Sequence, residues 1–152
     1  MAEKIVGRMR EDPVKQFAVF VENKVGRLLE IIDLIETHNT HVLALTILDT
    51  ADSSIVRMVF DDPDRARILF QEHTVPFNES DVLVVEMESH KDLHKILSVL
   101  LRAEVNIMYT YSFLDRPQGK AAVVMNIDDA EVAIHALDQH NFTILHQTDL
   151  AR

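Results

Sequence analysis

The residues best suited to chemistry lie in "VENKVGRLLEII", Val21 to Ile32. Here an apolar run gives way to Glu22-Asn23-Lys24, a single Gly26 follows, and an apolar pattern of a different period begins. A strand that turns into a helix at this point leaves the first amides, those of Gly26, Arg27 and Leu28, without intrahelical acceptors. Such amides, together with the helix dipole, suit a carboxylate. Glycine lets a ligand approach the backbone closely, and the Asn23 side-chain carbonyl or the Glu22 carboxylate could accept from a donor on the same ligand. An Asn before a helix and a Gly in a tight turn are also ordinary capping and turn chemistry, so the residues alone leave both readings open.

Other constellations carry less. His90 and His94 stand at i, i+4, a spacing zinc can use, but no third ligand is fixed by spacing. Solvated helix-face histidines are the plainer reading, and no metal is expected. Asp61-Asp62 and Asp128-Asp129 could be imagined as acid and base, yet their recurrence before two helical patterns fits N-terminal capping and favourable dipole charge better. Tyr109, Tyr111 and Phe113 alternate and so share one strand face, which suits core or seam packing more than a ligand pocket. The chain has no cysteine, which excludes disulfides, thiolate ligands and cysteine nucleophiles. There is no Ser-His-Asp spacing, phosphate loop or nucleotide fingerprint. Neither catalysis nor a cofactor is expected.

The elements that must position the junction come from periodicity. "FAVFVE" (Phe17 to Glu22) reads as a strand, and Leu28, Ile31, Ile32 and Ile35 form the stripe of a helix. Strand-like "HVLALTIL" (His41 to Leu48) and "SIVRMVF" (Ser54 to Phe60) follow, joined by the turn-rich "DTADS". A helix signalled by Pro63 comes next, and "VPF" closes the series as a short strand. A shift of about 65 residues repeats the plan, because Leu93, Ile96, Leu97 and Leu100 match the first stripe. "DVLVVEM" is then a strand, "NIMYTYSFL" (Asn106 to Leu114) the second, and "AAVVMNIDD" the third after a turn around "DRPQGK". "AEVAIHALDQHN" repeats the second helix and "FTILH" the last strand.

The order βαββαβ therefore occurs twice, at 15–77 and 81–148, with Asn78 to Ser80 as the candidate linker. Each unit is a split βαβ, ferredoxin-like, giving an α+β fold whose antiparallel sheets carry their helices on one face. Both second strands lie at sheet edges and are long and apolar, which invites edge-to-edge pairing of the units. The strands are apolar on both faces although helices cover only one, so burial of the open face against another chain, as in a homodimer, is also expected.

A chain of 152 residues, 47% apolar, can bury about 68–70% of its unfolded surface. With 25 acidic against 15 basic residues, a net charge of −10, it would repel a phosphate backbone, and nucleic acid is not an expected partner. No segment has the run of apolar residues a bilayer span requires. The N-terminal "MAEKIVGRMREDP" lacks the apolar core of a signal peptide, and a cytoplasmic location is the expectation.

"VFVENKVGRLLEII", with the later "LALTILDT" and "IVRMVF", resembles the ACT domain, a small regulatory module that binds amino acids and related metabolites. The resemblance covers nearly the whole chain, since the second unit carries "VNIMY" at the start of its second strand, where the family often has an Asn-Ile pair. The whole looks like tandem ACT-domain proteins, and the first unit is also similar to the regulatory small subunit of acetolactate synthase. The resemblance implies a non-catalytic regulatory protein that binds a small amino acid at a seam between units. Glu22, Asn23, Lys24, Val25, Gly26, Arg27 and Leu28 would be completed there by Asn106 and Ile107 of a neighbouring unit. Docking on a biosynthetic enzyme such as acetolactate synthase is the alternative. Two departures count: Val25 stands where the family usually has proline, and the second loop, Glu88 to Leu93, has neither Pro nor Gly. A reciprocal pocket of Ser89 and His90 with His41 and Val42 is therefore not expected to bind.

Overall fold

A computed structural model describes residues 12–116 and 119–151. The N-terminal stretch considered for a signal peptide, apart from Asp12 and Pro13, lies outside these residues, as do Pro117 and Gln118 of the turn before the sixth strand. The order is β1 (Val14–Glu22), α1 (Arg27–Glu36), β2 (Val42–Asp49), β3 (Ser53–Phe60), α2 (Pro63–Glu72), β4 (Phe77–Met87), α3 (Lys91–Arg102), β5 (Ile107–Ser112), β6 (Ala121–Ile127), α4 (Ala130–Gln139) and the short α5 (Gln147–Leu150). No helix among the described residues is long and apolar enough to cross a membrane.

The repeat folds as two βαββαβ-type units in one six-stranded antiparallel sheet of order β2-β3-β1-β4-β6-β5, with α1 to α4 on one side. The expected linker does not exist as such. Asn78 to Ser80 lie within β4, whose first half pairs with β1 (Val14↔Val82, Val19↔Phe77) and whose second half pairs with β6 (Leu83↔Met125, Met87↔Ala121). One strand thus ends the first unit and begins the second. "FTILH", expected as the last strand, shrinks to a bridge in which Glu86 N–H donates to the Thr143 carbonyl at 2.9 Å and Leu145 N–H to Val84 at 2.9 Å. Its register, Ile144 opposite Val85, runs into that of β1, which meets β4 from Val82 downward, so the second unit's last strand has no edge left to extend along.

Two cores lie under the helices. Phe17, Val19, Val56, Met58 and Phe60 meet Ile31 and Ile35 of α1 and Ala66, Leu69 and Phe70 of α2. In this cluster Phe17 and Phe60 pack edge-on with centroids 5.3 Å apart, a geometry aromatic quadrupoles favour. Leu83, Val85, Val123 and Met125 meet Ile96 and Leu100 of α3 and Ile134 and Leu137 of α4. Helices α1 to α4 end alike. Asn39, Thr74, Glu104 and Asn141 adopt positive φ of 56° to 64°, and the next N–H reaches back five residues, as Val75 to Phe70 (2.8 Å) and Val105 to Leu100 (3.0 Å). This is the Schellman closure, achieved here without glycine.

The third core lies on the face opposite α1 to α4, where Leu150 of α5 joins it. Val14, Leu43, Ala44 and Val59 of the first unit meet Val84, Tyr111, Ala122, Val124 and Leu145 of the second. The sheet curls inward on this face until its two edges touch. Ala44 bridges Phe113, and Leu114 N–H donates to the Leu43 carbonyl at 2.7 Å. The apolar open faces are thus closed in large part against each other within one chain rather than against a second.

Gln16 sits in this seam, 2% exposed, in a strand otherwise apolar at its inward positions. Its amide NH2 donates to the Tyr109 hydroxyl at 2.7 Å, and its carbonyl accepts from the Tyr111 hydroxyl at 2.7 Å. Tyr109 and Tyr111, with Phe113, therefore pack at the seam, as their alternation suggests.

Candidate functional site

The β1–α1 junction is a turn held by a few backbone bonds. Lys24 N–H donates to the Glu22 carbonyl at 2.8 Å and Arg27 N–H to the Lys24 carbonyl at 3.2 Å. Gly26 is the N-cap, in the left-handed region at φ 82°, and no side chain caps the helix. Arg27's amide is thereby already used, which corrects its expected role as a free donor. The amides of Gly26, Leu28 and Leu29 have no acceptor among the described residues. Val25 is fully exposed and Leu29 largely so.

The polar residues of the turn divide their work. Asn23 donates its amide NH2 to Asp49 at 3.3 Å, and its carbonyl oxygen meets no donor among the described residues. Lys24 Nζ lies 2.7 Å from the Glu22 carboxylate, and this bond holds the Glu22 carboxyl below its ordinary pKa and raises that of Lys24. Glu22 is therefore a neutralised partner rather than a bare acceptor. Arg27 pairs with Glu30 at 2.8 Å.

The equivalent loop of the second unit closes on itself. Glu88 N–H is taken by the Asp92 carboxylate at 2.8 Å, Lys91 N–H by the Ser89 hydroxyl at 3.3 Å, Asp92 N–H by the Ser89 carbonyl at 3.1 Å and Leu93 N–H by the His90 carbonyl at 3.3 Å. The counterparts of the Gly26 and Leu28 amides, those of Lys91 and Leu93, are thus spent in the second loop.

Asn106 stands at the start of β5, exposed, its backbone N–H donating to Asp128 at 3.0 Å and its side-chain NH2 directed at the Met108 sulfur at 3.5 Å. Ile107 packs toward the helix-side core of the second unit. No hydrogen bond or ion pair among the described residues joins Glu22 to Leu28 with Asn106 or Ile107.

The recurrent aspartates have divided roles that the sequence only half suggests. Asp62 and Asp129 cap α2 and α4, accepting from Arg65 N–H at 3.1 Å and Val132 N–H at 3.2 Å. Asp61 and Asp128 pin the second strands, accepting from His41 N–H at 2.8 Å and Asn106 N–H at 3.0 Å. His90 and His94 belong to no metal-binding group of His, Asp or Glu among the described residues.

Residues 13–152 match the ACT domain pair family. The fold is similar to that of a protein of Bacteroides thetaiotaomicron, at 30% identity and TM-score 0.82, over 92% of this chain and 96% of that one. It is also similar to the ligand-free regulatory subunit of aspartate kinase from Thermus thermophilus, at 12% identity and TM-score 0.59, over 84% and 91% of the two chains. The aspartokinase alpha and beta subunits share the fold at 18% identity and TM-score 0.54, over 85% and 92%. No curated protein sequence matches the chain. The repeat, the shared sheet and the match across both units establish that this chain belongs to the ACT domain pair family.

Proposed function

We propose that the chain is a non-catalytic regulatory protein that senses a small amino acid at the β1–α1 junction. The observation that carries this reading is the contrast among helix starts. α2 and α4 are capped by aspartate side chains, and the amides of Lys91, Asp92 and Leu93 at the start of α3 are taken up within their own turn, whereas α1 opens on Gly26 with the amides of Gly26, Leu28 and Leu29 unmet. The ligand's carboxylate meets these amides and the positive end of the α1 dipole. Its ammonium meets the free Asn23 carbonyl oxygen.

Asn106 and Ile107 complete the pocket from a second copy of the chain, since within one chain nothing bonds them to the loop. Val25 and Leu29, exposed beside the loop, are the apolar contacts such a homodimer would bury. Binding then moves the equilibrium between packing arrangements by the ligand's differential affinity for them. A cytoplasmic location fits this role.

The test is a thermal-shift screen of the twenty proteinogenic amino acids. A ligand present at 100 times its Kd adds about 2.7 kcal/mol, a rise of roughly 5–10 °C for a chain of this size. A flat screen on a folded sample overturns the proposal.

A second reading, docking on a biosynthetic enzyme such as acetolactate synthase, draws on the exposed row Leu93, Leu97 and Leu101 along α3. Co-purification with a large catalytic partner that Leu97→Glu and Leu101→Glu abolish selects it.

A further inference from the structure

The inner face of the first unit is built in three rungs across β1, β3 and β2. Gln16, Val59 and Ala44 form the first, Ala18, Arg57 and Thr46 the second, and Phe20, Ile55 and Leu48 the third. Alternation puts all nine side chains on the same face. The first rung is buried under the second unit. The second is half-buried, and in the third Phe20 is 38% and Leu48 46% exposed. The second unit's β5 thus covers the face only as far as Tyr109.

Arg57 is the single charge on these rungs. Arg27, Arg67 and Arg116 each pair with a carboxylate, and Arg65 and Arg102, which meet none among the described residues, stand exposed to water. Arg57 is half-buried and meets none among the described residues, its guanidinium instead lying 3.8 Å from the centroid of the Tyr109 ring. Stacking uses the flat face of a guanidinium and leaves its edge, with its fork of N–H donors, pointing outward. In a chain of net charge −10, a guanidinium held against a ring of the other unit without an acid is a local exception. It borders a wholly apolar rung about 6.6 Å further along the strands.

We propose that Arg57 and the Phe20–Ile55–Leu48 rung form a second ligand site for a small monocarboxylate with an apolar tail. The carboxylate takes the edge of Arg57 in a bidentate pair. The tail, of about four carbons to span one rung spacing, covers Ile55 between Phe20 and Leu48. Charge complementarity selects the carboxylate head. The lack of any other polar side chain on the outer rung selects the hydrocarbon tail. Because Tyr109 belongs to the other unit, the occupied site would report on how the two units are set against each other.

Calorimetric titration with 4-methylpentanoate, 4-methylpentanamide and acetate tests this. The expected result is binding of 4-methylpentanoate, with the uncharged amide and the tailless acetate each at least tenfold weaker. Arg57→Met should lower affinity about tenfold to a hundredfold, the range of a lost charged hydrogen-bond pair, and Arg57→Lys should recover part of it. Leu48→Asn should weaken 4-methylpentanoate and leave acetate unchanged, a split that general unfolding cannot produce. Gly26→Val should bind 4-methylpentanoate as the parent does, which separates this site from the loop site. Equal binding of acid and amide, or undiminished binding by a folded Arg57→Met, overturns the proposal. So does a concentration-dependent dimer that Arg57→Met dissolves, because the rung would then be covered by a second copy.

Discussion

Removing the Tyr111 hydroxyl should cost far more than a surface hydroxyl would, and the seam shows why. Tyr111 donates to the Gln16 carbonyl oxygen at 2.7 Å in a buried bond, and the Gln16 amide nitrogen is already committed to Tyr109 at 2.7 Å. In Tyr111→Phe, Gln16 keeps its place in β1 with an unpaired oxygen at 2% exposure. Rotating its amide relieves nothing, since Tyr109 could donate to the turned oxygen but the nitrogen would then face a bare phenyl ring. A stranded buried polar atom costs about 1–3 kcal/mol, a fall in Tm of roughly 3–10 °C for a domain of this size. Gln16→Leu alone instead strands the Tyr111 hydroxyl. The double variant Gln16→Leu/Tyr111→Phe strands nothing between the pair, so it should be more stable than the sum of the singles by about 1–2 kcal/mol, the scale of coupling between contacting groups. Urea unfolding of the four proteins closes the cycle. A Tyr111→Phe within about 0.3 kcal/mol of the parent, or strict additivity, would refute the claim that this amide is what ties the two units' inner faces together.

Four further outcomes follow from the same geometry. Gly26→Val places a β-branched residue at φ 82° with open space around its side chain. The backbone alone should then cost about 1–2 kcal/mol, and the amino-acid response in the thermal screen should vanish. Thr74, β-branched at φ 56°, is the reverse case, and Thr74→Gly should raise stability by about 1 kcal/mol in urea. Asp129→Ala removes the cap that accepts from Val132 N–H and should lower stability by about 0.5–2 kcal/mol by the same assay. Burial first, and the neighbouring Tyr109 second, push the Tyr111 phenol well above the ordinary tyrosine value of 10.0. Its contribution is therefore whole below pH 10 and is lost as pH rises from there toward its folded pKa. Ultraviolet titration should show the Tyr111 phenolate appearing only together with loss of the helical circular dichroism, and an earlier, separate appearance would contradict this.

The repeat was legible because each unit writes the same physics twice. The stripe of Leu28, Ile31, Ile32 and Ile35 recurs as Leu93, Ile96, Leu97 and Leu100, and the aspartates recur before the second helices. What could not be read was that β4 runs unbroken through Asn78 to Ser80. Its first half, from Phe77 to Asp81, is half or fully exposed with no alternation of apolar residues, so it carries the composition of a loop. The pairing with β1 that makes it a strand is long-range and lies in the backbone. The last strand failed for a related reason, since its edge was already occupied by residues distant in sequence.

The loop of the candidate site was legible from Gly26 alone, because a left-handed residue before a helix favours glycine. The spent amide of Arg27 and the pairing of Glu22 with Lys24 were not, since both depend on how the turn is wound. The curl of the sheet left one trace in the sequence: Gln16, a polar residue at an inward strand position, makes its two short bonds because Tyr109 and Tyr111 arrive from the second unit.

The common strand also limits how this architecture can be taken apart. A cut between Ser80 and Asp81 would not release two modules, because it severs a beam that both halves rest on and strips each of a flank. Swapping one half for a foreign homologue meets the same obstacle, since the newcomer must match the twist of a backbone it does not own. A signal entering either half is therefore felt by the other through covalent bonds rather than across a docking surface alone.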